Sequence, residues 1–158
     1  MEAQKTGVRS GAQLEKIAAS GTLFAKTRQD NIAASPNVVR KRLAQFASKC
    51  VNGRTTITQR QTGLGMPVGG RMSTQYKSGI ENTDGTPRFI IAQKLGGSVL
   101  LPGEGSKGYN VQVSSRFLDN GSGGTALTTA MNPVFFAMMN NYIVPWASGN
   151  AVACPKVI

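Results

Sequence analysis

Apolar and polar positions alternate with two different periods along this chain, and the change falls near Gly53. Before it, Val39, Leu43, Phe46 and Cys50 recur at spacings of four, three and four. That spacing predicts a helix over 35–50 with one apolar stripe. Ser35 stands at the cap position, Pro36 in the first turn, and Asn52-Gly53 forms the stop. Arg40 and Lys41 point away from the stripe, and Arg42 and Lys49 flank it. A shorter helix is expected from Ser10, with Leu14, Ile17 and Ala18 on one face and Gly21 ending it.

After Gly53 the period drops to two. Thr55–Arg60, Met72–Ser78, Arg88–Ala92, Ser98–Leu101 and Tyr109–Phe117 read as strands, separated by Gly, Pro and Asn-Gly turns. In the last of these, Tyr109, Val111, Val113 and Phe117 are expected to share a face. A final helix is expected from Asn132 and Pro133 to just before Pro145. It carries no charged face, so it is expected to be buried all round. The fold class is α+β: a basic N-terminal arm and helix, then a small antiparallel β-sheet or barrel, then a short apolar C-terminal helix. Residues 1–34 are read as the basic, partly flexible arm and 35–158 as a single β-rich assembly domain, a size able to bury one core.

Charge sharpens this outline. Residues 1–60 carry 11 Lys or Arg against 3 acids, residues 61–158 carry 7 against 4, and the 36 residues from Asn120 to Pro155 carry none. A net charge of +11 points to a polyanionic partner, bound by neutralising phosphates and releasing their counterions. Arg40, Lys41, Arg42, Lys49, Arg54 and Arg60 fall within 21 positions, and no acid occurs between Asp30 and Glu81. A merely solvated helix would interleave Glu with Lys. These six are therefore the expected phosphate contacts, tolerant of nucleic-acid sequence because phosphates carry none. Whether the polymer is DNA or RNA is not encoded in such a pattern.

The uncharged C-terminal run suits a surface covered by neighbouring subunits, since unpaired charge is costly to bury. Phe135, Phe136, Met138, Met139, Tyr142 and Trp146 are the expected core and interface residues. Asn and Pro interrupt the run too often for a membrane-spanning helix.

Catalytic chemistry is poorly supplied. The chain has no histidine, which removes His-based triads and His-bearing metal sites. Glu81 and Asp84 are the nearest pair of acids and read as turn residues. Gly103-Glu-Gly105-Ser-Lys-Gly108 matches a dinucleotide fingerprint in letters only, since a strand follows it rather than a helix. No catalytic residue, metal, cofactor or small-molecule substrate is assigned. Cys50 and Cys154, 104 residues apart, are expected to be free buried thiols in a reducing compartment. The reading that unites these features is a structural protein of a self-assembling particle, a viral or phage coat or minor capsid component located in the virion. Its partners are copies of itself or other shell proteins, and nucleic acid. The alternatives are a basic cytoplasmic ribonucleoprotein component resembling a ribosomal protein, and, further off, a cationic metal-dependent nuclease.

Overall fold

In a computed structural model of the chain, the residues described are 8–53, 55–61, 67–82, 84–95 and 108–156. The element order is α1 (Gly11–Ala19), β1 (Lys26–Ile32), α2 (Pro36–Phe46, continued by a wider π turn Ala47–Val51), β2 (Thr55–Gln61), β3 (Pro67–Glu81), β4 (Arg88–Leu95), β5 (Asn110–Asp119), β6 (Thr125–Met131) and a terminal helical segment α3 over 133–147. The class is α+β. All strand pairs are antiparallel, and the six strands lie in the order β1-β6-β5-β4-β3-β2. Strand Ser98–Leu101 expected from the sequence, most of the Gly103–Gly108 run, and residues 1–7 lie outside the described residues.

β2 to β6 form a meander, whereas β1 and β2 are consecutive strands at opposite edges. Their connection must therefore cross the sheet, and α2 is that crossing. Its stripe explains why it stays there: Val39, Leu43, Phe46 and Cys50 are all buried. Ser35 Oγ accepts from the Val38 N–H, and Pro36 follows at the first turn. Phe46 packs against Phe89 of the sheet and Trp146 of α3, with ring centroids 6.2 and 5.8 Å apart. Truncating such a ring costs about 3–5 kcal/mol.

The segment read as an arm contributes two ordered elements. Ser10 caps α1 by accepting from the Gln13 N–H, and Leu14 packs with Ile90, Ala92, Val111 and Ala130 on the sheet face opposite α2. At Gly11 a Cβ would stand 2.9 Å from Arg88 Cδ and closer still to Ser114 Oγ, so only glycine lets the helix start this near the sheet. β1 then pairs with β6 over its whole length. Neither β1 nor β6 was expected from the sequence. Polar Lys-Thr-Arg-Gln-Asp-Asn suits an edge strand but lacks the alternation that signals one.

Two expectations are corrected. Tyr109 and Val111 do not share a face with Val113 and Phe117. A bulge at Gln112 pairs Val113 with Ile91 but Val111 with Ala92, which turns Val111 towards α1 and Val113 towards α2. Asn132 holds the bulge by donating its N–H to the Gln112 carbonyl (2.8 Å) and its Nδ2 to Oε1 (2.9 Å). The terminal helix, in turn, does not stop before Pro145. A π turn at Met139–Ile143 widens the helix just ahead of that residue, accommodating a ring that breaks the regular ladder, and the helix continues to Ala147. Nor is it buried all round. Phe135, Met138, Met139, Ile143 and Trp146 face the core, whereas Val134, Phe136, Ala137, Asn140 and Asn141 face outward.

A third correction concerns the cysteines. Cys50 and Cys154 form a disulfide. α2's π turn brings Cys50 to the surface end of the core, and the chain after α3 returns to meet it. Trp146 Nε1 donates to the Val152 carbonyl on the way (3.0 Å). Sequence separation of 104 hides this proximity, because only the tertiary packing of α2 against α3 creates it.

Candidate nucleic-acid interface

α2 and α3 lie side by side on one face of the sheet. The basic and the uncharged segments, far apart in sequence, are thus neighbours in one helical layer. Of the six expected phosphate contacts, Lys41 and Lys49 are exposed and Arg40 is half-buried, its Nη2 donating to Asn37 Oδ1 at 3.1 Å. None of the three has an acidic partner among the described residues.

Arg42 is different. Its Nη1 donates to the Ala147 carbonyl at 3.0 Å, at the C-terminus of α3, where a cation meets the negative end of the helix dipole. It is committed within the fold. Arg54 lies outside the described residues, and Arg60 is described only as a backbone position in β2.

The acids explain why the α2 cations stand alone. Arg88, buried between α1 and the sheet, holds Glu15 at 3.0 Å and Asp84 at 2.6 Å, and Arg116 Nε lies 3.3 Å from the same Glu15 oxygen, off hydrogen-bonding geometry. Hydrogen bonding from Arg88, then from the Thr86 N–H, holds the Asp84 carboxyl below the usual carboxylate range. Asp84 and Glu15 in turn raise Arg88. Glu81 accepts from the Gly11 N–H at 3.0 Å, and Asp30 pairs with Arg28 at 2.7 Å. Glu81 and Asp84, the closest acidic pair in sequence, therefore serve α1 docking. Among the described residues no three His, Cys, Asp or Glu side chains gather as metal ligands.

Sequence pattern alone missed cations on the other sheet face. Lys77 is exposed, with its Nζ 5.2 Å from the Tyr109 ring centre, and Lys94 is half-buried on the neighbouring strand. β3 and β4 register puts both beside α1's side of the sheet, a proximity that only strand pairing reveals.

The six expected interface residues divide in the same way. Phe135, Met138, Met139 and Trp146 belong to the core of the chain itself, and Tyr142 packs against it half-buried. Phe136 is 52% exposed, with Arg28 4.8 Å from its ring centre, and Val134 beside it is 77% exposed. Among the described residues no helix is long and apolar enough to cross a membrane.

No family model matches the chain, and no curated protein matches it. Among solved structures, protein Ms6760 from Mycobacterium smegmatis aligns with 85% of this chain and 94% of its own, at 10% identity and a TM-score of 0.39.

Proposed function

We propose that the chain is a structural subunit of a self-assembling particle, a viral or phage coat or minor capsid component, whose basic helix contacts packaged nucleic acid. The observation that carries this reading is the division of charge. Glu15, Asp30 and Asp84 pair with Arg28, Arg88 and Arg116, while Arg40, Lys41 and Lys49 on α2 have no acid partner among the described residues. Unopposed cations on one helix favour phosphate contacts without base readout. Many subunits repeating a few such contacts gain avidity that one copy lacks.

The disulfide favours a particle over a cytosolic ribonucleoprotein component. Such bonds persist at virion and cell surfaces and are rare in the reducing cytosol.

The test is electron microscopy and light scattering of the purified chain, before and after nuclease treatment. Closed or fibrous homo-assemblies that retain nucleic acid support the reading. A chain soluble only as a monomer on one folded RNA supports the ribonucleoprotein alternative. Mg²⁺-dependent cleavage of nucleic acid, lost on Glu81→Gln or Asp84→Asn, replaces both with a nuclease.

A further inference from the structure

β1 is an outer strand. One side pairs with β6, from Lys26↔Met131 to Ile32↔Thr125, and among the described residues no strand pairs with the other side. Open edges are ordinarily guarded by charge, and this one carries Lys26, Arg28 and Asp30. The order of those charges does more than guard. A second copy related by a twofold axis normal to the sheet runs antiparallel to the first and keeps the same face outward, so residues of like parity must meet. Centring the axis on Thr27 sets Lys26 against Arg28. Centring it on Arg28 or Asp30 sets like charges against themselves, and centring it on Asn31 pairs no opposite charges. With the axis at Gln29, Arg28 of each copy faces Asp30 of the other, Thr27 faces Asn31, and Lys26 faces Ile32 at the strand ends. This register matches opposite charges without a like-charged pair.

We infer that β1 pairs with β1 of a second copy about Gln29, making a continuous twelve-stranded sheet from two subunits; this rests on the particle reading above and names its first contact. Arg28 is already poised for it. Its Nε and Nη2 donate to the carboxylate of Asp30 in the same strand (2.9 and 2.7 Å), and Nη1 to Asn140 Oδ1 (2.9 Å). In the pair, guanidinium and carboxylate groups alternate across the axis. Some of the exposed apolar groups lie near the same edge. Phe136 covers Arg28, one residue from the axis, and Leu23 and Phe24, 84% and 68% exposed, directly precede β1.

Charge reversal tests it. Arg28→Glu alone sets two acids against each other across the axis and should weaken dimerisation at least tenfold by sedimentation equilibrium. Arg28→Glu with Asp30→Arg restores complementarity within its own homodimer but opposes like charges against the wild type. Native mass spectrometry of a mixture should then show two homodimers and no mixed dimer. Circular dichroism checks that each variant folds, and the double variant carries the test if the single one does not. Mixed dimers in statistical proportion would overturn the β1 register and leave the particle reading standing. A wild-type chain that stays monomeric at all concentrations would overturn both.

Discussion

Arg42 reaches across the helical layer to the Ala147 carbonyl, 3.0 Å from its Nη1, while Arg40 and Lys41 beside it do not. The Gly149 backbone lies under the same guanidinium; a Cβ there would stand 3.2 Å from its carbon. Three consecutive cations thus have two jobs. One ties α2 to the end of α3, and two are left to meet solvent or phosphate.

The two jobs separate experimentally. Arg40→Gln, Lys41→Gln and Lys49→Gln together should leave thermal stability unchanged. They should also reduce the slope of log binding against log salt by about 2–3, near 0.7–0.9 for each phosphate no longer neutralised. Arg42→Gln should instead lower unfolding free energy by about 1.5–3 kcal/mol, the scale of a hydrogen bond to a charged donor. Anisotropy titrations in a salt series and thermal melts measure both. An unaltered salt slope in the triple variant would remove α2 from the nucleic-acid interface.

Charge placed on α3 should act differently at two neighbouring positions. Met139 is fully buried, so Met139→Glu leaves an unpaired charge in the core and should unfold the chain. Phe136 is half in solvent, so Phe136→Glu should fold with a melting temperature near that of the wild type and fail in association. Light scattering beside a thermal melt distinguishes them. A folded Phe136→Glu that assembles normally would show that this part of α3 is not an interface.

Legibility in the sequence followed the strength of local pattern. α2 was readable because its cap, first-turn proline, stripe and stop agree, and each is a short-range signal. β1 was not, since every residue from Lys26 to Asn31 is polar and only its seat beside β6 makes it a strand. The buried side of α3 was legible in kind but not in extent. An uncharged helix looks the same whether one face or all faces are covered, and its passage through Pro145 depends on a π turn with no local sign. The cationic cluster was visible as a run of residues, yet which cations stay unopposed depends on where Glu15, Asp30 and Asp84 fold. The disulfide and the Gln112 bulge are wholly tertiary, set by the meeting of distant segments.

Reduction should expose how much the C-terminal tail depends on Cys154. The bond closes a loop of 104 residues, for which the chain-entropy model gives about 4.7 kcal/mol and measured losses run about 2–5 kcal/mol. Cys154 is solvent-exposed, so mild thiol treatment should suffice. Urea unfolding of the oxidised, the reduced and the Cys154→Ser protein should give one high midpoint and two equal lower ones. Equal midpoints for all three would mean that the bond constrains nothing in the unfolded chain.

Acid should loosen α1 from the sheet. Asp84 is held below its ordinary value of 3.8, first by the Arg88 guanidinium and then by the Thr86 N–H, so the fold favours the ionised carboxylate. A group depressed in this way contributes stability above its unfolded pKa and loses it as pH falls through the folded one. The wild type should therefore unfold at higher urea than Asp84→Asn at about pH 6, above that unfolded value. The two midpoints should converge as the pH drops below 3.8, when the aspartate is neutral like its replacement. Arg88, raised by the same contact, stays charged throughout and adds no slope of its own. Amide exchange in Gly11–Ala19 should rise over the same interval, because Arg88 also holds Glu15 on that helix. Midpoints that stay parallel from near neutrality to strong acid would show that Asp84 does not engage Arg88 in solution.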